Sequence, residues 1–295
     1  MDSVIRSRLD PHRQVTAPLV RWQGGTSTSS VDELVIEEPL ELRVGPAHLD
    51  SGEEEVTLAV IMRTPGHDEE LAAGFLYTEG LLTGRSELVG LSTGADIDGL
   101  PSENVLVVRA AGEDVDLARR AQESGYSRLF AVNSSCGVCG KNSVAAACAV
   151  LPPLPTGDFM VPVRRLYSLP DQLRAEQKVF ASTGGLHAAA LFDQDATLLA
   201  LREDIGRHNA VDKLIGRALL DGELPLRQRI LLVSGRLSFE IVLKALTAGI
   251  PIVAAVSAPS SLAVDLAAGG GITIAAFLRG DNVNIYTYPE RIAGD

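Results

Sequence analysis

Two wholly apolar runs, Ile230-Leu231-Leu232-Val233 and Ile252-Val253-Ala254-Ala255-Val256, constrain the fold more than any other feature of the chain. Each is too short for a buried helix, and neither offers a polar position to solvent on either face. Strands of that kind must be covered on both sides, as in a largely parallel sheet with helices above and below. The surrounding sequence keeps the same rhythm. A helix over Asp171–Phe180 leads to a strand at Ala188–Phe192, and a strand at Thr197–Leu201 leads to a helix over Asn209–Leu220. The first apolar run is followed by a helix over Phe239–Ala248 and the second by one over Leu262–Ala268, before strands at Ile272–Phe277 and Val283–Tyr286. Regular alternation of this sort predicts an α/β three-layer sandwich.

Upstream the pattern changes. Leu34–Leu42, Val56–Met62 and Val105–Arg109 read as strands, and Asp68–Leu82 as a helix after the Pro65-Gly66 turn. On that helix Leu71, Gly74, Phe75, Thr78 and Leu82 share a face that is apolar except at Thr78. Pro152, Pro153 and Pro155 end an alanine-rich helix over Ser143–Val150 and mark a linker. The expected organisation is therefore a flexible arm over 1–30, a smaller β-rich α+β domain over 31–125, a cysteine loop, helix and linker over 126–155, and an α/β ligand-binding domain over 156–295. The arm is inferred from its charged start and from the Gly24-Gly25-Thr26-Ser27-Thr28-Ser29-Ser30 run.

A net charge of −12 argues against a general nucleic-acid binder, which needs a basic footprint. No run reaches the roughly 18 apolar residues of a membrane helix, and the N-terminus has no signal-peptide core. A cytosolic location is expected. Thiols stay reduced there, so the three cysteines at 136, 139 and 148 point to catalysis or metal binding rather than to a disulfide framework.

The sharpest local motif is Ser134-Ser135-Cys136-Gly137-Val138-Cys139-Gly140-Lys141. A C-x-x-C at the start of a helix places the first sulfur near unpaired backbone N–H groups and the positive end of the dipole. Both favour the thiolate, which is the nucleophile. The glycines admit a close partner, and Lys141 adds positive charge. Redox or sulfur chemistry at Cys136 is one reading. Half of a zinc site is another, although a tetrahedral site needs four ligands and only Cys148 and the histidines remain to complete it. Cys148, on the alanine face of its helix, reads as a core thiol.

A second signal is distributed over the strand ends, where ligands bind in parallel α/β sheets. Arg202-Glu203-Asp204-Ile205-Gly206-Arg207-His208-Asn209, Ser234-Gly235-Arg236-Leu237-Ser238 and Ser257-Ala258-Pro259-Ser260-Ser261 all follow strands. They combine hydroxyl and backbone donors at helix starts with arginine forks, a set suited to phosphate. Each turn alone is better read as helix capping. Three on one edge predict a pocket containing Arg207, His208, Ser234, Arg236 and Ser257, with Thr183-Gly184-Gly185-Leu186-His187 as a further wall. His208 also stands four residues before Asp212, the spacing of a local ion pair.

These segments together resemble the FdhD/NarQ family of formate dehydrogenase accessory sulfurtransferases. The likeness runs from about Glu37 to Thr287. It includes Glu38-Pro39-Leu40, Met62-Arg63-Thr64-Pro65-Gly66, Gly74-Phe75-Leu76-Tyr77-Thr78-Glu79-Gly80, the cysteine motif, Thr183 to Ala189, Glu203 to Lys213, Val233 to Arg236 and Ala255 to Ser261. It implies a cytidine-deaminase-like α/β domain with a smaller domain. It also implies transfer of sulfur from a cysteine desulfurase, through a persulfide on Cys136, to the molybdenum bis(molybdopterin guanine dinucleotide) cofactor that formate dehydrogenase needs. The family's cofactor-binding stretch falls on Phe277, Leu278, Arg279, Gly280, Asp281 and Asn282, with Asn282 where the family usually has arginine. A homodimer is implied, and no permanently bound metal is expected. Two alternatives belong to other classes. One is a non-catalytic chaperone that only carries the cofactor. The other is a zinc deaminase, which needs H-x-E before P-C-x-x-C. Here His187-Ala188-Ala189 lacks the glutamate and follows the cysteines, and Ser135 replaces the proline.

Overall fold

The computed structural model describes residues 5–6, 12–45, 55–110, 115, 117–123, 153–155 and 159–294. Cys136, Cys139, Cys148 and the helix expected over Ser143–Val150 lie outside the described residues.

The first departure from expectation is at the N-terminus. Residues 12–30 do not form the anticipated arm. β1 (Ile5–Arg6) pairs with β2 (Gln14–Gln23), and β2 pairs with β3 (Thr26–Val35) in unbroken antiparallel register from Gln14↔Val35 to Gln23↔Thr26. The Gly-Gly pair read as a linker is the hairpin turn. Gly24 and Gly25 have φ of +58° and +83°, and a two-residue loop with positive φ at both positions matches the right-handed twist of the strands it joins.

A four-stranded sheet follows, made of β4 (Glu38–Gly45), β5 (Val56–Arg63), β6 (Leu88–Ala95) and β7 (Pro101–Ala110) in the order β5-β4-β7-β6. Helix α1 (Asp68–Thr78) covers it, and α2 (Leu117–Glu123) adds Leu117 and Ala121 to the same core as Leu40, Leu42, Ile61, Leu71 and Leu76. α1 stops at Thr78 rather than Leu82. Gly80 turns at φ +77°, and the N–H groups of Leu81 and Leu82 fold back onto the Leu76 carbonyl at 2.8 and 3.1 Å.

The short strand β8 (Val161–Pro162) pairs in parallel with Ile292–Ala293, and the second large sheet has six strands. β9 (His187–Phe192), β10 (Leu198–Asp204), β11 (Ile230–Val233), β12 (Ile252–Ala255), β13 (Thr273–Arg279) and β14 (Asn282–Ile285) run in the order β10-β9-β11-β12-β13-β14. The expected layers are present. One strand face, with Leu231, Val233, Val253 and Ala255, packs against α6 (Arg207–Leu220), α7 (Phe239–Ala248) and α8 (Ser261–Gly270). The other, with Ile230, Leu232, Ile252 and Ala254, packs against Leu166 of α3 (Val163–Tyr167) and Leu169 and Leu173 of α4 (Leu169–Glu176). A largely parallel sheet is not what forms. Only β11–β12 and β12–β13 are parallel, because β9–β10 and β13–β14 are hairpins that insert antiparallel strands. Apolar composition reports burial on two faces, not direction.

The two sheets are joined through α1 and α6. A methyl group on Gly74 would lie 1.9 Å from the Asp212 carbonyl oxygen, and one on Gly216 would lie 1.8 Å from that of Glu70. The helix backbones therefore touch where both residues are glycine. Three charged clusters lie across this junction. Arg202 of β10 grips Glu70 with both ends of its fork, Nη2–Oε1 being 2.6 Å. Lys213 Nζ reaches Asp204 Oδ2 at 2.7 Å and the Thr64 carbonyl at 2.9 Å. Lys244 Nζ reaches Asp212 Oδ1 at 2.9 Å, Thr78 Oγ1 at 2.8 Å and Glu79 Oε1 at 3.3 Å. Thr78, the polar exception on the α1 face, is thus part of a buried network. Asp212 is likewise engaged by Thr78 and Lys244 rather than serving only its own helix.

Candidate functional site

The hydrogen-bond register brings the sequence-predicted turns together. Asp204, at the end of β10, sits opposite His187, at the start of β9. Val233 pairs with both Ala189 and Ala255, so the Ser234 and Val256–Ser257 turns follow side by side. The Phe277 N–H donates to the Ser257 carbonyl at 3.2 Å, and Arg279 Nε to that of Val256 at 3.4 Å. The β13–β14 hairpin tip therefore borders the same edge. Helices α6, α7 and α8 all begin there, behind Gly206, Ser238 and Ser260. Only Ser260 caps its own helix by side chain, accepting from the Ala263 N–H at 3.2 Å.

The polar run before α6 divides its labour. Glu203 is a capping group for α5 (Lys178–Thr183), accepting from the N–H groups of Phe180 and Val179 at 2.9 and 3.2 Å. Asp204 accepts from the N–H groups of Thr64 and Gly206 and from the Asn209 side chain, besides its ion pair with Lys213. Asn209 also donates to the Met62 carbonyl at 2.8 Å. Asp204, Asn209 and Lys213 hold the junction. Arg207 and His208 occupy the first turn of α6 at the edge itself. The Arg207 Nε is buried and has no hydrogen-bond partner among the described residues. His208 Nε2 lies 3.3 Å from Ser238 Oγ and 3.8 Å from the Glu240 carboxylate, linking the starts of α6 and α7.

His187 sits between these groups. Burial, then the nearby Arg207 and Arg236 guanidiniums, push its pKa below the usual imidazole value, with Asp204 opposing. Its ring is held close by Gly235, where a methyl group would approach Nδ1 to 3.3 Å. Ser234 exchanges bonds with β9, its N–H donating to the Ala188 carbonyl and its hydroxyl accepting from the Ala188 N–H, both at 2.9 Å. Against an overall charge of −12, this edge gathers cationic side chains.

A cavity of about 520 Å³ opens here, with His187, Ser234 and Val256 on its sheet side and Gly184, Gly185 and Leu186 beside them. Its remaining wall is Asp171, Arg174, Gln177 and Phe180 from α4 and α5. A volume in the range of several hundred Å³ suits a nucleotide-sized ligand. The α4–α5 wall was missed in the sequence. The one signal there was a polar stripe at three-residue spacing, Asp171, Arg174 and Gln177, which an exposed helix face also shows. Of the 277–282 stretch, Phe277 is 42% exposed in the left-handed region at φ +55°, whereas Leu278 is fully buried in the core and packs under the sheet.

The fold and site thus define an α/β protein with a cleft at the carboxyl edge of a mixed six-stranded sheet, with Arg207 and Arg236 near its His187. The chain belongs to the FdhD/NarQ family, whose sequence profile matches residues 35–293. It is 52% identical over 272 residues to the sulfur carrier protein FdhD of Mycolicibacterium paratuberculosis, covering 91% of this chain and 94% of that one. It is 48% identical over 279 residues to the protein of the same name in Streptomyces coelicolor, covering 93% and 94%. A crystal structure from Desulfotalea psychrophila, described as that of a formate dehydrogenase accessory protein, superposes with a TM-score of 0.67, covering 95% of this chain and 100% of that one. At 24% identity that likeness speaks for the fold alone. Among the described residues no helix is long and apolar enough to cross a membrane.

Proposed function

We propose that the chain is a cytosolic sulfur carrier that serves formate dehydrogenase. Cys136 takes sulfur from a cysteine desulfurase and passes it to molybdenum bis(molybdopterin guanine dinucleotide), whose nucleotide arm lies in the carboxyl-edge cleft. The observation that carries the nucleotide half of this reading is the buried Arg207 Nε at the start of α6, which has no partner among the described residues and stands near His187, a residue that lines the cavity with Ser234. A buried guanidinium N–H without a partner, at a helix N-terminus, is matched by a phosphate oxygen. The names of the relatives and the Cys136-x-x-Cys139 motif support the sulfur half.

The chemistry balances with the cysteines alone and one external reductant. The Cys136 thiolate attacks the outer sulfur of the donor persulfide. A new S–S bond forms, the donor S–S bond breaks, and the donor cysteine leaves as thiolate without net oxidation. The Cys139 thiolate then attacks the inner sulfur of Cys136. Hydrosulfide departs with the bonding pair to become the metal's sulfur ligand, and the two cysteines remain as a disulfide. A cellular dithiol returns them to the reduced state. We place the six-stranded domain among cytidine-deaminase-like folds. The His187-Ala188-Ala189 segment lacks the glutamate that deamination uses, so fold here does not carry that activity. We take the working unit to be a homodimer.

The test is mass spectrometry after incubation with a cysteine desulfurase and cysteine. One added sulfur is expected on the Cys136 peptide, lost in Cys136→Ala and retained in Cys139→Ala. A label that sits on Cys148, or that survives Cys136→Ala, overturns the assignment.

A further inference from the structure

A second cavity, of about 230 Å³, lies at the opposite edge of the six-stranded sheet. β11, β12 and β13 start there side by side, Ile230 pairing with Ile252 and Ile252 with Thr273. Arg227 and Gln228, just before β11, and Gly249 and Pro251, just before β12, form one wall, and Leu154, Pro155 and Phe159 form another. Leu154 is fixed by its N–H, which donates to the Gly270 carbonyl at 2.9 Å. Arg291 completes the lining and is 2% exposed. It donates from Nη1 to Thr273 Oγ1 at 3.2 Å and from Nη2 to the Pro155 carbonyl at 3.1 Å, and both acceptors are neutral. Burial pushes its pKa down, with Glu290 and Tyr288 opposing. Neither Arg291 nor the exposed Arg227 forms an ion pair among the described residues, and no Asp or Glu is among the described residues that line the cavity.

We propose that this cavity is a second ligand site that takes a small aliphatic monocarboxylate, with Arg227 and Arg291 on the carboxylate and Leu154, Phe159 and Pro251 around the chain. It is independent of the nucleotide reading of the cleft. A buried cation without a counter-ion is costly, and in a chain of net charge −12 two arginines with no facing acid leave a local excess of positive charge. The helix ends set how much. α7 and α8 both finish at this edge, capped by Gly249 and Gly271, and a helix C-terminus carries roughly half a negative charge. Two guanidiniums against two such ends leave about one positive charge, which suits a monoanion. A phosphate dianion is disfavoured for a second reason. Pro155 and Pro251 have no N–H, and those of Leu154 and Gly249 are already bonded, the latter to the Leu246 carbonyl. No nest of free backbone donors is left of the kind phosphate sites use, whereas a guanidinium fork fits a carboxylate directly. The volume is less than half of the 520 Å³ of the cleft, which excludes a nucleotide and admits a short branched chain.

The experiment is a ligand-observed NMR titration of the full chain with 4-methylpentanoate, its neutral isostere 4-methylpentanamide, and inorganic phosphate, on the unaltered protein and on Arg227→Ala. The carboxylate is expected to bind about ten- to a hundredfold more tightly than the amide, the difference of a charge-assisted contact, and more tightly than phosphate. Arg227→Ala should lose affinity for the carboxylate by a similar factor. Arg227 is exposed, so the variant should keep its melting temperature, which separates a lost contact from a lost fold. Saturating GDP should leave carboxylate binding unchanged, because the two sites lie on opposite edges of the sheet. Displacement of the carboxylate by GDP, equal binding of acid and amide, tighter binding of phosphate, or full affinity in Arg227→Ala would each overturn the proposal. None of those results bears on the sulfur chemistry or on the cleft.

Discussion

Lys213 and Asp204 face each other at 2.7 Å with both side chains fully buried, joining the first helix behind β10 to the residue that ends β10. Burial pushes the Lys213 ammonium down from its usual pKa, and the Asp204 charge opposes that. Lys213 also donates to the Thr64 carbonyl, and the Thr64 N–H donates to Asp204, so the end of β5 is tied into the pair. The pair thus fixes the small sheet against the element that carries Arg207.

Removing one member strands the other in the interior. Lys213→Met and Asp204→Asn are each expected to destabilise the protein by about 3–5 kcal/mol. The double variant should recover a large part of that, because two neutral groups replace two charges. Urea unfolding of the four proteins measures this as a double-mutant cycle. Additive losses would mean that the two side chains act independently.

Glu70 gives the junction its acid sensitivity. Burial alone would push its carboxyl up, but the hydrogen-bonded Arg202 fork, with His67, holds it at about 2. A carboxyl held low in the folded state contributes stability that is full above its unfolded value, near 4.5. That contribution is lost as pH falls from there toward 2. Glu70→Gln should therefore cost on the order of 2–3 kcal/mol at neutral pH and much less near pH 2. Unfolding midpoints across pH 2–7 check it, and a constant difference at every pH would assign the effect to packing instead.

How much of this was legible in the sequence varies with the physics. The carboxyl-edge cleft was, because strand direction in βαβ units places every following turn on one side. Sheet direction was not, since a run such as Ile230–Val233 looks alike in parallel and in buried antiparallel pairing. The β2–β3 hairpin was hidden because Gly24-Gly25 and the Thr-Ser run after it resemble a linker in composition, and only cross-strand register distinguishes the two. Gly74 and Gly216 are separated by about half of the chain, so neither reveals the other as its contact. Buried Lys213 and Lys244 were invisible for a related reason. A lysine on a helix is ordinarily solvated, and its acidic partner is known only once the helices are packed.

His187 provides a pH test of the cleft. Its pKa is lowered by burial and by Arg207 and Arg236. The unfolded chain therefore binds a proton before the folded one does, and stability falls as pH drops from the ordinary imidazole range toward the lowered value. His187→Gln should flatten the stability profile between about pH 7 and 5. A phosphate placed beside the ring offsets the two guanidiniums, so GDP binding should take up protons in the same window. Calorimetry in buffers of differing ionisation enthalpy counts those protons, and an uptake that persists in His187→Gln would assign them to another group.

Arg207 separates binding from stability. Its buried Nε has no hydrogen-bond partner among the described residues, and an unsatisfied buried donor costs about 1–3 kcal/mol. A side chain kept only for structure would not carry that cost, whereas one awaiting an anion would. Arg207→Ala is therefore expected to leave thermal stability unchanged or higher in the ligand-free protein. It should weaken GDP by about ten- to a hundredfold through loss of a charge-assisted contact. Arg207→Lys keeps the charge but not the planar fork, and should fall between. Because the chain carries a net charge of −12, the local positive site works against a repulsive field. Added salt screens both, but the short-range attraction dominates once the phosphate is bound, so affinity for the unaltered protein should fall with ionic strength. The Arg207→Ala variant should show a shallower salt dependence than the unaltered protein. A variant that loses stability while keeping its GDP affinity and salt dependence would make Arg207 a structural residue and would move the phosphate site away from the start of α6.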